Sequence, residues 1–200
     1  MDIKEFENAY KDAGLYIDND RMLKIIRDSY TPIKSNDLGY GNLIITMEEL
    51  SELNIELVKY MSKPSDKIPM TLIEELSDTL LSFNYVFDIC GKPIEKINFN
   101  SVVYIERNEV LNKTIITSSL LQQEISKFLR EKISKNALAF FTLTTKSTIE
   151  NAITCLNIKE EQINKAINVK LDRQEQRNCK FNTEDMLEAK EFGEEDEIKY

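Results

Sequence analysis

The chain has 200 residues, 35 acidic against 26 basic, and its net charge of −9 argues against nonspecific binding to nucleic acid or to an anionic membrane. Any anionic substrate therefore needs a metal ion or a local basic cluster. Histidine is absent, which excludes His-Glu-x-x-His zinc proteases, Glu-x-x-His di-iron bundles and every triad or dyad built on imidazole.

A composition that is 42% hydrophobic and 30% charged, with five glycines and four prolines, favours an all-α globular protein over a sandwich or barrel. Its length allows one good-sized domain or two small ones. There is no signal peptide and no apolar run of bilayer length, and Cys90, Cys155 and Cys179 are odd in number without metal-type spacing. They read as reduced thiols, and the expectation is a cytoplasmic protein.

In chain order, residues 2–13 and 20–29 predict two short amphipathic helices, the second carrying Met22, Leu23, Ile25 and Ile26. Tyr30-Thr-Pro and the glycines of residues 36–41 break the pattern. Asn42 is the expected N-cap of a helix running to about Ser62. The connection of residues 63–69 ends in Pro69, which starts a second helix near Met70. Gly91-Lys-Pro stops it, and a third helix is expected from about Ile94 to Leu111. After Arg177 the sequence is acidic and poor in core residues, and predicts a short marginal helix followed by a frayed tail.

Residues 47–90 carry two acidic motifs on two of these helices. Glu49 and Glu52 are three apart, so their carboxylates lie on nearly the same side of a helix, with Glu48 one turn behind Glu52. Glu75 and Asp78 repeat that spacing. Glu-x-x-Glu is commonly solvated surface, but here Glu75 and Asp78 adjoin the stripe of Leu72, Leu76, Leu80, Phe83 and Phe87, while Glu49 and Glu52 sit beside Leu50, Leu53, Leu57 and Met61. A hairpin of the two helices points four carboxylates into one space, and four anions share a space only around a cation. All-oxygen ligation suits Mg²⁺ or Mn²⁺.

Residues 88–107 can be laid without gaps on residues 154–173, placing Ile97 on Ile163, Asn98 on Asn164, Val103 on Val169 and Arg107 on Arg173. Upstream, Glu52 can be set on Glu124 if about six residues of the 63–69 connection are missing from the second copy. The chain then reads as a tandem pseudo-dimer. Residues 1–40 form N-terminal helices, 41–113 an acid-bearing repeat, 114–178 a degenerate second repeat and 179–200 an acidic tail. In this register Glu48 and Glu49 fall on Leu120 and Leu121, and Glu75 and Asp78 on Phe141 and Thr144, so only the first copy keeps the acids.

Glu48-Glu49-x-x-Glu52, 22 intervening residues, and Glu75-x-x-Asp78 followed by Thr-Leu-Leu-Ser-Phe form a pattern similar to the signature of the MazG-like nucleotide pyrophosphohydrolases. These belong to the all-α NTP pyrophosphatase superfamily, with the dimeric dUTPases and dCTP pyrophosphatases. The Gly-Asn-Leu-Ile-Ile-Thr-Met lead-in and residues 163–177 also resemble the family. Residues 108–160 depart from a minimal member.

The resemblance implies Mg²⁺-dependent hydrolysis of a nucleoside triphosphate, deoxy or non-standard, to the monophosphate and pyrophosphate. By analogy Glu49, Glu52, Glu75 and Asp78 ligate the metal, and Glu48 orients or deprotonates the attacking water. Arg107 with Asn108, and Lys170 with Arg173, are the basic groups set to meet the phosphates. Tyr85 or Phe83 is placed to stack on a base, though core packing is the stronger expectation for both. The subunit arrangement is either a homodimer or a monomeric pseudo-dimer. Two other classes stay open: a non-catalytic nucleotide-binding or regulatory protein with this fold, and a structural bundle whose acids are surface.

Overall fold

The computed structural model describes residues 2–29, 40–93, 96–99 and 106–193, with side chains for these except 26–29, 40 and 177–193. The described residues form seven α-helices and no strand: α1 (Ile3–Asp12), α2 (Asn19–Ser29), α3 (Tyr40–Ser62), α4 (Met70–Ile89), α5 (Arg107–Leu129), α6 (Lys135–Cys155) and α7 (Glu160–Gly193). None is long and apolar enough to cross a membrane. Leucines at three- and four-residue spacing drive the packing: Leu50, Leu53 and Leu57 of α3 are fully buried, as are Leu72 and Leu76 of α4. Helix α4 is covered nearly all round, so it is the central rod.

Helices α3 and α4 form one hairpin, α5 and α6 a second, and the two meet through α3 against α5 and α4 against α6. Helix α7 then crosses back onto α4 and is flanked by α1 and α2. Asp2 caps α1 through its carboxylate, which accepts from the Lys4 and Glu5 amides, and Arg21 ties α2 to Asp172 and Glu175 of α7.

The two hairpins make corresponding contacts. In the first, the Thr46 hydroxyl lies 2.9 Å from Asn42 O and 3.4 Å from Ser82 O, and the Thr79 hydroxyl donates to Glu49 O. In the second, Thr114 lies 3.0 Å from Val110 O and 3.1 Å from Thr148 O, and Thr145 donates to Thr117 O. Glu56–Lys59 in α3 is matched by Glu124–Lys127 in α5. Both second helices end on a left-handed residue, Gly91 (φ 65°) and Asn157 (φ 54°), with the same pair of closing backbone bonds.

The contact between hairpins is reciprocal as well. Asn54 donates to Ser119 Oγ across the α3–α5 seam, and Gln122 donates to Ser51 Oγ. In the register set by the threonines, Asn54 corresponds to Gln122 and Ser51 to Ser119. Each side thus offers the other the same pair of positions.

Several expectations change. Asn42 lies inside α3, which starts two residues earlier, and is not its N-cap. The third helix starts later than expected: Ile94 lies outside the described residues, residues 96–99 are non-helical and α5 starts at Arg107, so the division drawn at 113/114 falls within a helix. Residues 177–193 continue α7 and do not form a separate short helix. The register that set Glu52 on Glu124 is displaced by one helical turn, since the hydroxyl contacts align Glu56 with Glu124. A four-residue slip leaves the apolar face unchanged, so hydrophobic pattern alone does not detect it. The breakers at residues 30–39, Val103 and the last seven residues lie outside the described residues.

Candidate metal centre

The register that Thr79 sets against Glu49 O brings the two acidic motifs side by side. Glu49, Glu52 and Glu75 each present a carboxylate oxygen within 4.8 Å of the other two. Oxygens on opposite sides of a Mg²⁺ ion are about 4.2 Å apart, so small side-chain adjustments suffice to close this trio around a hard cation. Glu52 is exposed and forms the open side, while Glu49 and Glu75 are half-buried.

Glu49 Oε2 and Glu75 Oε2 are sealed from solvent and have no hydrogen-bond partner. Leaving such oxygens orphaned is costly, and a cation answers the cost. Burial, followed by repulsion from Asp78 and Glu52, pushes Glu49 up to about 7. The same causes, with Glu49 added, take Glu75 to about 8. Without a cation, both carboxyls are held above the ordinary carboxylate range. The donor set, all carboxylate oxygen with two orphaned buried atoms, fits a divalent hard ion.

Asp78, expected as the fourth ligand, is instead engaged by a lysine. The Lys170 ammonium, from α7, bridges Asp78 and Glu74, the latter at 2.8 Å, and lies 5.5 Å from the Phe6 ring centroid. All three charged side chains are close to nine-tenths buried. Burial pushes Asp78 up to about 6 although Lys170 pulls it down. Burial alone lowers Lys170, but Asp78 and Glu74 outweigh it and hold the ammonium above its ordinary value.

A cavity of about 250 Å³ opens beside the acids, lined by Glu49, Asp78, Tyr85, Lys170 and Arg173 among others. Two of the four basic-cluster residues expected from the sequence, Lys170 and Arg173, therefore sit at the acids. Arg107 and Asn108 do not: Arg107 reaches the Tyr60 hydroxyl at the far end of α3, eleven residues or about 16 Å along the helix from Glu49. Glu48 is exposed, and Phe83 is fully buried in the core.

Glu74 and Phe6, which complete the lysine's surroundings, carried no signal in the sequence. Glu74 adjoins a motif acid, but its partner lies 96 positions away. In the second hairpin the positions matching Glu49, Glu52, Glu75 and Asp78 are Thr117, Leu120, Phe141 and Thr144.

No family model matches the chain, and neither a curated protein nor a solved structure is significantly similar to it.

Proposed function

We propose that the chain is a MazG-like, divalent-metal-dependent nucleoside triphosphate pyrophosphohydrolase in a pseudo-dimeric form, with α3–α4 as the working hairpin and α5–α6 as a duplicated, ligand-free companion. The observation that carries this reading is the convergence of Glu49, Glu52 and Glu75 from two helices, with two orphaned buried oxygens, beside a cavity holding Lys170 and Arg173. The matched threonine contacts and the reciprocal Asn54–Ser119 and Gln122–Ser51 bonds support the duplication.

A bound Mg²⁺ or Mn²⁺ neutralises the triphosphate and lowers the pKa of bound water. The protein's part is positional. Glu49, Glu52 and Glu75 hold the ion, and the open side at Glu52 admits substrate. Arg173 supplies positive charge at the cavity for phosphate oxygens. Lys170 fixes Asp78 and so braces the floor of the site. Glu48, exposed one turn behind Glu52, stays the candidate for orienting water. On a chain of net charge −9, the ion is also what lets a polyanion approach.

One observation favours a second reading, a nucleotide-binding protein without turnover: Asp78 is already paired with Lys170, leaving three carboxylates where the resemblance implies four. Incubation of canonical and modified NTPs and dNTPs with Mg²⁺ or Mn²⁺, scored for pyrophosphate against inorganic phosphate, separates the two. Pyrophosphate release supports the enzyme; metal-dependent binding without release supports the binder.

A further inference from the structure

A second cavity lies on the opposite flank of α4 from the acids. It measures about 620 Å³ and is walled by α2, α4, α7 and the segment around residues 96–99. It shares no lining residue with the cavity at Glu49 and Asp78. Its volume falls in the range of small-molecule sites.

Asn84 and Asn164 are the uncharged polar groups buried at its wall, beside Lys146, whose ammonium is already held by Glu150 and Lys96 O. Asn84 and Asn164 are 7% and 5% exposed, so both are more than nine-tenths buried. The Asn84 amide donates only to Met22 Sδ, a weak acceptor, at 3.6 Å, and the Asn164 amide donates to Leu15 O. Neither carboxamide oxygen has a partner among the described residues. Amide oxygens that border a cavity and meet no described donor select a ligand that offers complementary N–H groups along one edge.

Met22, Leu23, Leu80, Ile97, Phe99 and Ile167 supply an apolar part of the wall, which suits a flat ligand body. At the rim Lys92 and Lys96 are exposed, and neither ammonium has an acidic partner among the described residues. Asp88 and Glu160 share that rim. The ammonium groups of Lys92 and Lys96, which have no acidic partner among the described residues, are the donors for a single phosphate there.

We propose that this cavity is a second binding site, for a nucleoside monophosphate, with Asn84 and Asn164 reading the base edge, Phe99 and Met22 flanking the ring, and Lys92 and Lys96 holding the phosphate. The site does not depend on the metal centre. The two readings therefore fail separately.

The test is calorimetric titration of the full chain with AMP, GMP, CMP and UMP in EDTA, which removes the divalent ions an acidic centre needs to accept phosphate. The expected result is saturable one-to-one binding of at least one monophosphate, weakened at least tenfold when its unphosphorylated nucleoside is used. The Lys92→Glu, Lys96→Glu double variant, altered only at exposed positions, should weaken binding at least tenfold with an unchanged melting curve. Asn84→Leu should remove discrimination among the four bases. Absence of saturable binding by all four overturns the proposal and leaves a water-filled interior. So does binding that the double lysine variant does not change.

Discussion

The two hairpins share a frame and differ in what they hold. Thr79 on Glu49 O and Thr145 on Thr117 O lock each pair of helices in the same register, yet the acids of the first are replaced by Leu120, Phe141 and Thr144 in the second. The surface reflects the exchange. Ile116 and Leu120, matched to Glu48 and Glu52, are exposed apolar residues, as is Phe140 of α6. Packing is thus separable from the acids: the threonine hydroxyls and the leucine stripe build the hairpin, and these carboxylates are present only in α3–α4.

The largest expected contrast is catalytic. Glu52→Gln or Glu75→Gln should lower pyrophosphate release by more than about a hundredfold while leaving helicity intact, since each removes a direct ligand. Leu120→Gln, the matching change in the second hairpin, should leave release within about twofold of the parent, as a surface change distant from such features ordinarily does. Equal losses from both would dissolve the distinction between the hairpins.

Next is the buried lysine. Lys170→Met leaves Asp78 and Glu74 facing each other without a cation, and urea denaturation should show a loss of about 3–5 kcal/mol. No corresponding cation is described at Thr144 in the second hairpin, so the effect belongs to the first alone.

The shared frame makes the opposite prediction. Leu53→Ala and Leu121→Ala, at matched and fully buried positions, should each cost about 2–5 kcal/mol. A large effect in only one would mean that the two cores are not alike.

Much of this frame was legible in the amino-acid order, and the limits have physical causes. Helical periodicity located the acids on two rods and Pro69 at the start of α4, because those signals are local. The Lys170–Asp78–Glu74 contact was not legible, since nothing within one helix specifies which distant side chain crosses onto it. The third helix was drawn too early because the isoleucines and valines of residues 94–105 keep an apolar rhythm, whereas the helix starts at Arg107 with Glu106 before it. The register between the two hairpins slipped by one turn because leucine stripes repeat at that interval, and only the hydroxyl contacts distinguish neighbouring turns.

A smaller effect is expected from pH. Glu49 near 7 and Glu75 near 8 bind protons more tightly folded than their ordinary value of 4.5 allows unfolded. The stability they contribute is complete below about pH 4.5 and is lost as pH rises through about 7 to 8. Without divalent ions, the melting temperature of the parent should therefore fall relative to Glu75→Gln between about pH 5 and pH 8. Mg²⁺ requires the ionised carboxylates, so its stabilising effect should grow over the same interval. Phe141 replaces Glu75 in the second hairpin, so that half adds no such dependence at this position.

Smallest is the paired threonine change. Thr79→Val and Thr145→Val should each cost about 0.5–1.5 kcal/mol, but only the first should also weaken metal binding, because it loosens the register that aligns Glu75 with Glu49.

Titration of the full chain with Mn²⁺, read by the loss of the free-ion electron paramagnetic resonance signal, addresses the central claim most directly. Saturable binding is predicted for the parent and for Leu120→Gln, and its loss for the Glu49→Gln, Glu75→Gln double variant. Undiminished Mn²⁺ uptake by that double variant, or none by the parent, would contradict the assignment of the α3–α4 acids as a metal centre.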